Sequence, residues 1–370
     1  MKFSLVPAVL AIVISLAGST QANDDKSDAK SSEKIERSTP VDPHASITLC
    51  VMSGKLVVRG WDKSEVHARS TDADQLQFRR VDKNKDPSSV PTRIDVMVTD
   101  KQNQRGDCQA IADVEMDVPK EATVQLQTRD GDIYIYGVGG AFAGSQNGDI
   151  TIERASKFVE AGSVGGSILL KDSSGRVNLS SAGGGVEAYN VKPVSSDDSF
   201  EVGTVSGDIQ LERVSNAKLT AKTVSGTVTM TGPLAKAGDY GFTTMGGDVV
   251  LMLPRDASFR LNARVSTNSN IVSDFPLKYV AEPATPPAPK SEPAPVAKAK
   301  TPKAESKESK ESKAEIKGDK GPKTGPIIAP IVVPRVVVVN PFKRITAICG
   351  SGDASITLSS FGGTLHLKKM

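Results

Sequence analysis

Residues 200–230 read FEVGTVSGDIQLERVSNAKLTAKTVSGTVTM. The phrase TVSG followed by two spaced apolar residues occurs twice here, with Gly207 and Gly226 as its fixed points. Moving outward, the same phrase returns at Gly131, Gly148, Gly166, Gly184 and Gly247, with spacings of 17, 18, 18, 23, 19 and 21 along the series. A phrase that returns every ~20 residues marks one supersecondary unit stacked on copies of itself. Seven and five residues before each glycine stand apolar residues such as Val124/Leu126, Phe200/Val202 and Tyr240/Phe242. Two and four residues after it stand Ile133/Ile135, Ile209/Leu211 and Val249/Leu251. Each repeat therefore reads as two strands of period two joined at the glycine, apolar on one face and polar on the other.

A two-strand unit cannot bury its apolar face alone, so the units must stack. The expectation is an all-β, single-chain β-solenoid, parallel β-helix-like, of nine or ten layers, making a rod about 50 Å long. The residue three before each glycine has inward parity yet carries a hydroxyl: Thr128, Ser145, Ser163, Ser181, Thr204, Thr223 and Thr244. Buried hydroxyls need partners, which predicts a hydrogen-bonded ladder at this corner. The glycine is expected because the corner needs either positive φ or close backbone approach. Ile47, Leu49, Gly54, Leu56 and Val58 make a degenerate first repeat, and Ala263 and Val265 belong to a weak eighth. Ile356, Leu358, Ser360, Gly363, Leu365 and Leu367 fit the template fully and are expected to complete or cap the stack.

The flanking composition divides the chain. Lys2, the apolar run from Phe3 to Ala17 and the Thr20-Gln21-Ala22 end read as a secretory signal over 1–22, the competing reading being an uncleaved anchor. Residues 23–43 are polar and expected to be a disordered linker. The solenoid is expected over 44–282, with 44–120 as N-terminal cap and first coils and 121–282 as regular repeats. Residues 283–326, rich in Pro, Ala, Lys and Glu, read as a second disordered linker. Residues 327–370 then hold an apolar strand and the final repeat. The stretch PIIAPIVVPRVVVVNPF, 326–342, reads as returning the chain to the solenoid through an edge strand, Arg335–Val339, or as a strand offered to a partner. This organisation places the protein outside the cytoplasm, in the periplasm or at the cell surface, with no membrane span after signal cleavage.

The formal net charge is only +3, and Lys alternates with Glu in the linker, so no nucleic-acid partner is expected. Cys50, Cys108 and Cys349 lie in the exported part, where disulfides form. Cys50–Cys108 is the expected pair, since both fall in the N-terminal cap region.

Signs of catalysis are scarce. The three histidines, His44, His67 and His366, are far apart and lack metal-ligand spacing. No nucleophile elbow, phosphate loop or zinc pattern is present. Asp132, Asp149, Asp208 and Asp248 follow their glycines and could form a column. Turn chemistry explains them more simply than calcium, because Ser167, Gly185 and Thr227 interrupt it. Outward Tyr134 and Tyr136 could stack on a sugar or another chain, and Trp61 reads as packing at a corner. No catalytic, cofactor-binding or metal residue is expected. Gly131, Gly148, Gly166, Gly207, Gly226, Gly247 and the four Asp are structural.

VVRGWDKSEV, DVEMDVPKEATVQLQTRDGDI, VSGDIQLERV, GGDVVLMLPRDASFRLNA and IVSDFPL resemble the bacterial DUF4097-type β-strand repeat family, which carries the label adhesin. The resemblance covers about 45–278 and resumes at 349–369, interrupted by the Pro/Lys/Glu-rich insertion. It implies a β-solenoid of exported or envelope proteins and offers no catalytic residues to carry over. The expected function is a non-enzymatic, adhesin-like or scaffold protein binding an envelope protein or glycan. The alternatives are a polysaccharide-binding or polysaccharide-active β-helix, and an assembly role for the 327–342 strand.

Overall fold

The computed structural model describes residues 34–82, 86, 88–101, 108–266, 269–280 and 342–370. The expected signal peptide, the 283–326 linker and the Arg335–Val339 strand lie outside the described residues. The chain belongs to the all-β class: the described residues form a 13-stranded and a 14-stranded sheet and contain no helix.

The regular part is a two-sided solenoid. Strands before each glycine, from Thr123–Gln127 to Asp239–Thr244, line up in the second, 14-stranded sheet. Strands after it, from Ile133–Tyr136 to Val249–Leu253, line up in the first. Every pairing between these coils is parallel and keeps equivalent positions opposite: Ala143 faces Ala161, and Ile152 faces Leu170. Inward residues from the two sheets meet in one continuous buried core. Its largest buried side chains include Tyr240, Phe200 and Phe242. The Tyr240 hydroxyl accepts the Ala235 N–H at 2.6 Å, which satisfies its polar end, while burial pushes its pKa up.

The corner at the glycine explains the phrase. Ser163 Oγ accepts the N–H of Gly166 at 2.9 Å and donates to the Gly148 carbonyl of the neighbouring coil at 3.1 Å. Ser145, Ser181, Thr204 and Thr244 repeat both bonds. One hydroxyl thus closes its own turn and ties it to the next layer. Of the two reasons for glycine, close approach operates. A Cβ on Gly148 would lie 1.9 Å from the Gly131 carbonyl oxygen, and Gly148 is not among the positive-φ residues.

The order of the coils departs from the order of the chain at both ends. The first repeat, Ser46–Cys50 and Leu56–Trp61, is not outermost: Arg93–Asp100 and Val114–Pro119 form a further coil beyond it. The final repeat, Ala354–Ser360 and Leu365–Lys369, does not cap the stack. It inserts between the coil of Asp239–Thr244 and that of Phe259–Ser266. Eleven coils result in place of nine or ten, about 48 Å end to end. The additional coil at 93–119 escapes the template because Ala112-Asp113 occupies its corner in place of a glycine–aspartate pair.

Antiparallel strands cover both ends. Ile35–Pro40 pairs with Glu65–Ser70, so the second half of the expected 23–43 linker is a strand in this fold. Apart from Ile35, which packs against the core, and Pro40, its side chains are polar and mostly exposed, and the ladder to Glu65–Ser70 holds it. At the other end the returning strand is Phe342–Cys349, paired with Phe259–Ser266 and Lys278–Tyr279. Cys50 and Cys108 form a disulfide, which fastens the end of the strand Ser46–Cys50 to the connection between the two strands of the outer coil. Cys349 is buried and unbonded, its Sγ 3.5 Å from the Ala257 carbonyl, and burial raises its thiol pKa.

Candidate functional site

The column of aspartates has a structural occupation. Asp132 Oδ1 accepts the N–H of Asp149, and Asp149 Oδ1 that of Ser167. Asp208 serves Thr227, and Asp248 serves Thr364. Each carboxylate caps the backbone of the following coil, at 2.7–3.0 Å. Asp113 does the same for Lys55 in the N-terminal coils. Among the described residues no cluster of His, Cys, Asp or Glu is arranged to hold a metal ion.

A second corner, six residues after the glycine, was not legible as a motif. Gly137, Arg154, Asp172, Asn190, Arg213 and Gly232 occupy it in successive coils, all with positive φ. Asn190 Nδ2 donates to Asp172 Oδ1 at 2.8 Å and Arg213 Nε donates to Asn190 Oδ1 at 2.5 Å, so this corner also carries a side-chain ladder. Glycine meets the conformational demand without a Cβ and Asn and Asp through short polar side chains, whereas Arg154 and Arg213 carry the ordinary cost of a left-handed residue.

The densest grouping of functional side chains lies on the outer face of the first sheet, toward its N-terminal end. Strand alternation brings Val57, Tyr134 and Thr151 into one outward row and Arg59, Tyr136 and Glu153 into the next. With Lys55 they border a shallow depression of about 410 Å³. Lys55 Nζ stands 4.7 Å from the centre of the Tyr134 ring, and the Arg154 guanidinium 5.0 Å from that of Tyr136, to whose hydroxyl it also donates. Both tyrosines are thus held in place by cations over their faces.

Beside this depression runs an ion network that sequence reading missed, since its members come from strands far apart in the chain. Arg69 donates to Glu115 Oε2 at 2.8 Å and to Asp117 Oδ2 at 2.9 Å. Arg59 lies 3.5 Å from Glu115, and His67 lies between Asp117 and Glu36. The hydrogen bond from Arg69 holds the Glu115 carboxyl below its ordinary range against the opposing effect of burial. Further along the face Tyr189 donates to Glu187 at 2.9 Å, and that bond raises its pKa. Trp61, at the turn before Glu65, donates from Nε1 to the Glu65 carbonyl at 2.9 Å and packs against His67. Among the described residues no helix is long and apolar enough to cross a membrane.

The family model described as Toastrack DUF4097 matches residues 44–282. Three solved structures match this chain at low identity. A "putative adhesin" from Parabacteroides merdae is 9% identical, covering 60% of this chain and 90% of its own, with a TM-score of 0.37. A "putative adhesin" from Parabacteroides distasonis is also 9% identical over the same shares, with a TM-score of 0.34. A "putative cell adhesion protein" from Clostridium sporogenes is 8% identical over 91% of this chain and all of its own, with a TM-score of 0.20. No curated protein matches the chain.

Proposed function

Because the chain belongs to the DUF4097 (Toastrack) family, we propose that it is an exported, non-enzymatic binding or scaffold protein of the cell envelope, adhesin-like in mode of action. The observation that carries this reading is register. Outward positions repeat coil after coil, as in the row Arg59, Tyr136, Glu153, Lys171, Tyr189 and Glu212. Contacts repeated at about 4.8 Å intervals on a rigid face favour many weak interactions with an extended partner, which add through effective concentration. Export is supported by the leader-like sequence of residues 1–22 and by the Cys50–Cys108 disulfide, a bond of oxidising compartments. A non-enzymatic role is supported by the state of the carboxylates. Glu115 and Asp117 are tied to Arg69, and the aspartate column is engaged by backbone N–H groups. A general acid needs a raised pKa, the opposite of the direction at Glu115.

A glycan is the favoured ligand class if one site dominates, since Tyr134 and Tyr136 stand side by side over the depression. The test is co-sedimentation of the chain from residue 23 to 370 with isolated envelope and with purified envelope polysaccharide. Saturable binding to either, without release of reducing ends, supports the proposal. Release of new reducing ends from polysaccharide overturns its non-enzymatic part, and binding to neither overturns the whole.

A further inference from the structure

The outer face of the second sheet turns basic toward its C-terminal end. Its strands there run in the spatial order Lys218–Thr223, Asp239–Thr244, Ala354–Ser360, Phe259–Ser266 and Phe342–Cys349, with Lys278–Tyr279 at the edge. The ladder pairings carry one outward row through Lys222, Thr243, Ser359, Arg264 and Arg344. The row two residues earlier on the parallel strands holds Thr357 and Asn262, with Thr346 opposite, and the next holds Arg260 and, past Ile348, Lys278. Lys222, Arg260, Arg344 and Lys278 are exposed, and among the described residues none of them is in a salt bridge. Arg264 is itself engaged and adds only its charge. The one carboxylate at an outward position of these strands, Asp239, stands opposite Lys218. The insertion of the final coil and the return of Phe342–Cys349 bring these cations together from distant parts of the chain, so no basic run marks them in the sequence.

The spacing and the neighbours of these cations indicate a partner. From Lys222 to Arg344 is four ladder steps, about 19 Å, and from Arg260 to Lys278 two, about 10 Å. That is too wide for one small anion and suits a chain that carries charge after charge, drawn in by the positive field of the face. Between the cations stand hydroxyl and amide groups, Thr243, Ser359, Thr357, Asn262 and Thr346, which both donate and accept. Sugar hydroxyls need such partners. A nucleic-acid strand calls instead for aromatic platforms under its bases, and a lipid surface for apolar side chains among the cations. The large exposed apolar residues nearby, Tyr279 and Val280, stand at the edge of the sheet. We propose that this face binds an acidic polysaccharide, a chain of carboxylate-bearing sugars lying along the solenoid axis from Lys222 to Arg344. Arg260 and Arg344 receive its carboxylates, and the hydroxyl and amide side chains receive its hydroxyls. The site is on the other sheet from Tyr134 and Tyr136 and is independent of what they bind.

Polygalacturonate is the probe, and its fully methyl-esterified form is the control that keeps the sugars and removes the charge. The oxidised chain from 23 to 370 is titrated with each by isothermal calorimetry at low salt. The unaltered protein should bind the acid about ten-fold more tightly than the ester, or better. Raising NaCl from about 50 to about 300 mM should weaken binding of the acid about ten-fold, as screening takes hold. Arg260→Gln and Arg344→Gln together should weaken it about ten-fold while leaving the circular-dichroism melt unchanged. Lys192→Gln, which removes one charge from the connection between two coils, should leave binding unchanged. Equal binding of acid and ester by the unaltered protein overturns the proposal, as does binding of neither. Binding that survives the double substitution, or that Lys192→Gln reduces as much, overturns it too. Phosphatidylglycerol vesicles and single-stranded oligothymidylate are titrated in parallel. Tighter binding to either, lost in the double substitution, assigns the face to that polyanion and overturns the proposal as well.

Discussion

At the corner glycines, small changes meet unequal resistance. Gly137 is in the left-handed region, yet a Cβ there would meet nothing within 4 Å. Gly137→Ala should therefore cost about 1 kcal/mol, the conformational term alone. Gly148→Ala drives a methyl into the Gly131 carbonyl and should cost about 3 kcal/mol. Urea denaturation of the two variants gives the comparison, and equal losses would remove the close-approach explanation. Ser163→Ala leaves the Gly166 N–H and the Gly148 carbonyl without their partner and should cost about 2 kcal/mol by the same measurement. Cys349 is buried with a raised thiol pKa, so it should react with a thiol reagent only after denaturant is added. This corner was legible in the sequence because a hydroxyl three residues before a glycine is an anomaly that only a buried bridge resolves. The left-handed corner at Arg154, Asp172 and Asn190 was not, because unlike side chains answer the same backbone demand.

At the scale of elements, the N-terminal end of the first sheet depends on charge. Arg69, on the antiparallel strand Glu65–Ser70, clamps Glu115 and Asp117 of the outer coil. The Glu115 pKa is depressed in the fold, so its contribution is present above the unfolded value of about 4.3 and is lost as pH falls through the folded value. Glu115 is partly exposed, which limits the effect to under about 1 kcal/mol. The difference in stability between the parent and Glu115→Gln should therefore shrink as pH falls from 6 to 3. A difference that stays constant over that range would show that the clamp does not act through the Glu115 charge. Period-two patterning reveals the strands of every regular coil, because one face is buried throughout. It does not reveal Ile35–Pro40, whose one core-packing residue, Ile35, shows no period-two pattern and whose ladder to Glu65–Ser70 holds it at an edge.

For the whole molecule, the parallel stack follows from the repeat, whereas the spatial order of the coils does not. Nothing local to residues 354–369 says that they insert inside Phe259–Ser266, because every coil presents nearly the same parallel ladder to its neighbours. The same equivalence makes coils removable. Arg154, Asp172 and Asn190 are equivalent positions, so deleting 155–172 removes one repeat in register, and deleting 155–190 removes two. Both deletions leave Tyr134, Tyr136 and the Arg154 that holds Tyr136 in place. The most direct test of the proposed function is the apparent affinity for isolated envelope of the parent and these two shortened chains, each confirmed folded by circular dichroism. Binding distributed along the solenoid predicts a graded loss, severalfold for one coil and more for two. Unchanged affinity in both deletions, with binding abolished by Tyr134→Ala and Tyr136→Ala together, would contradict it and place binding at a single site.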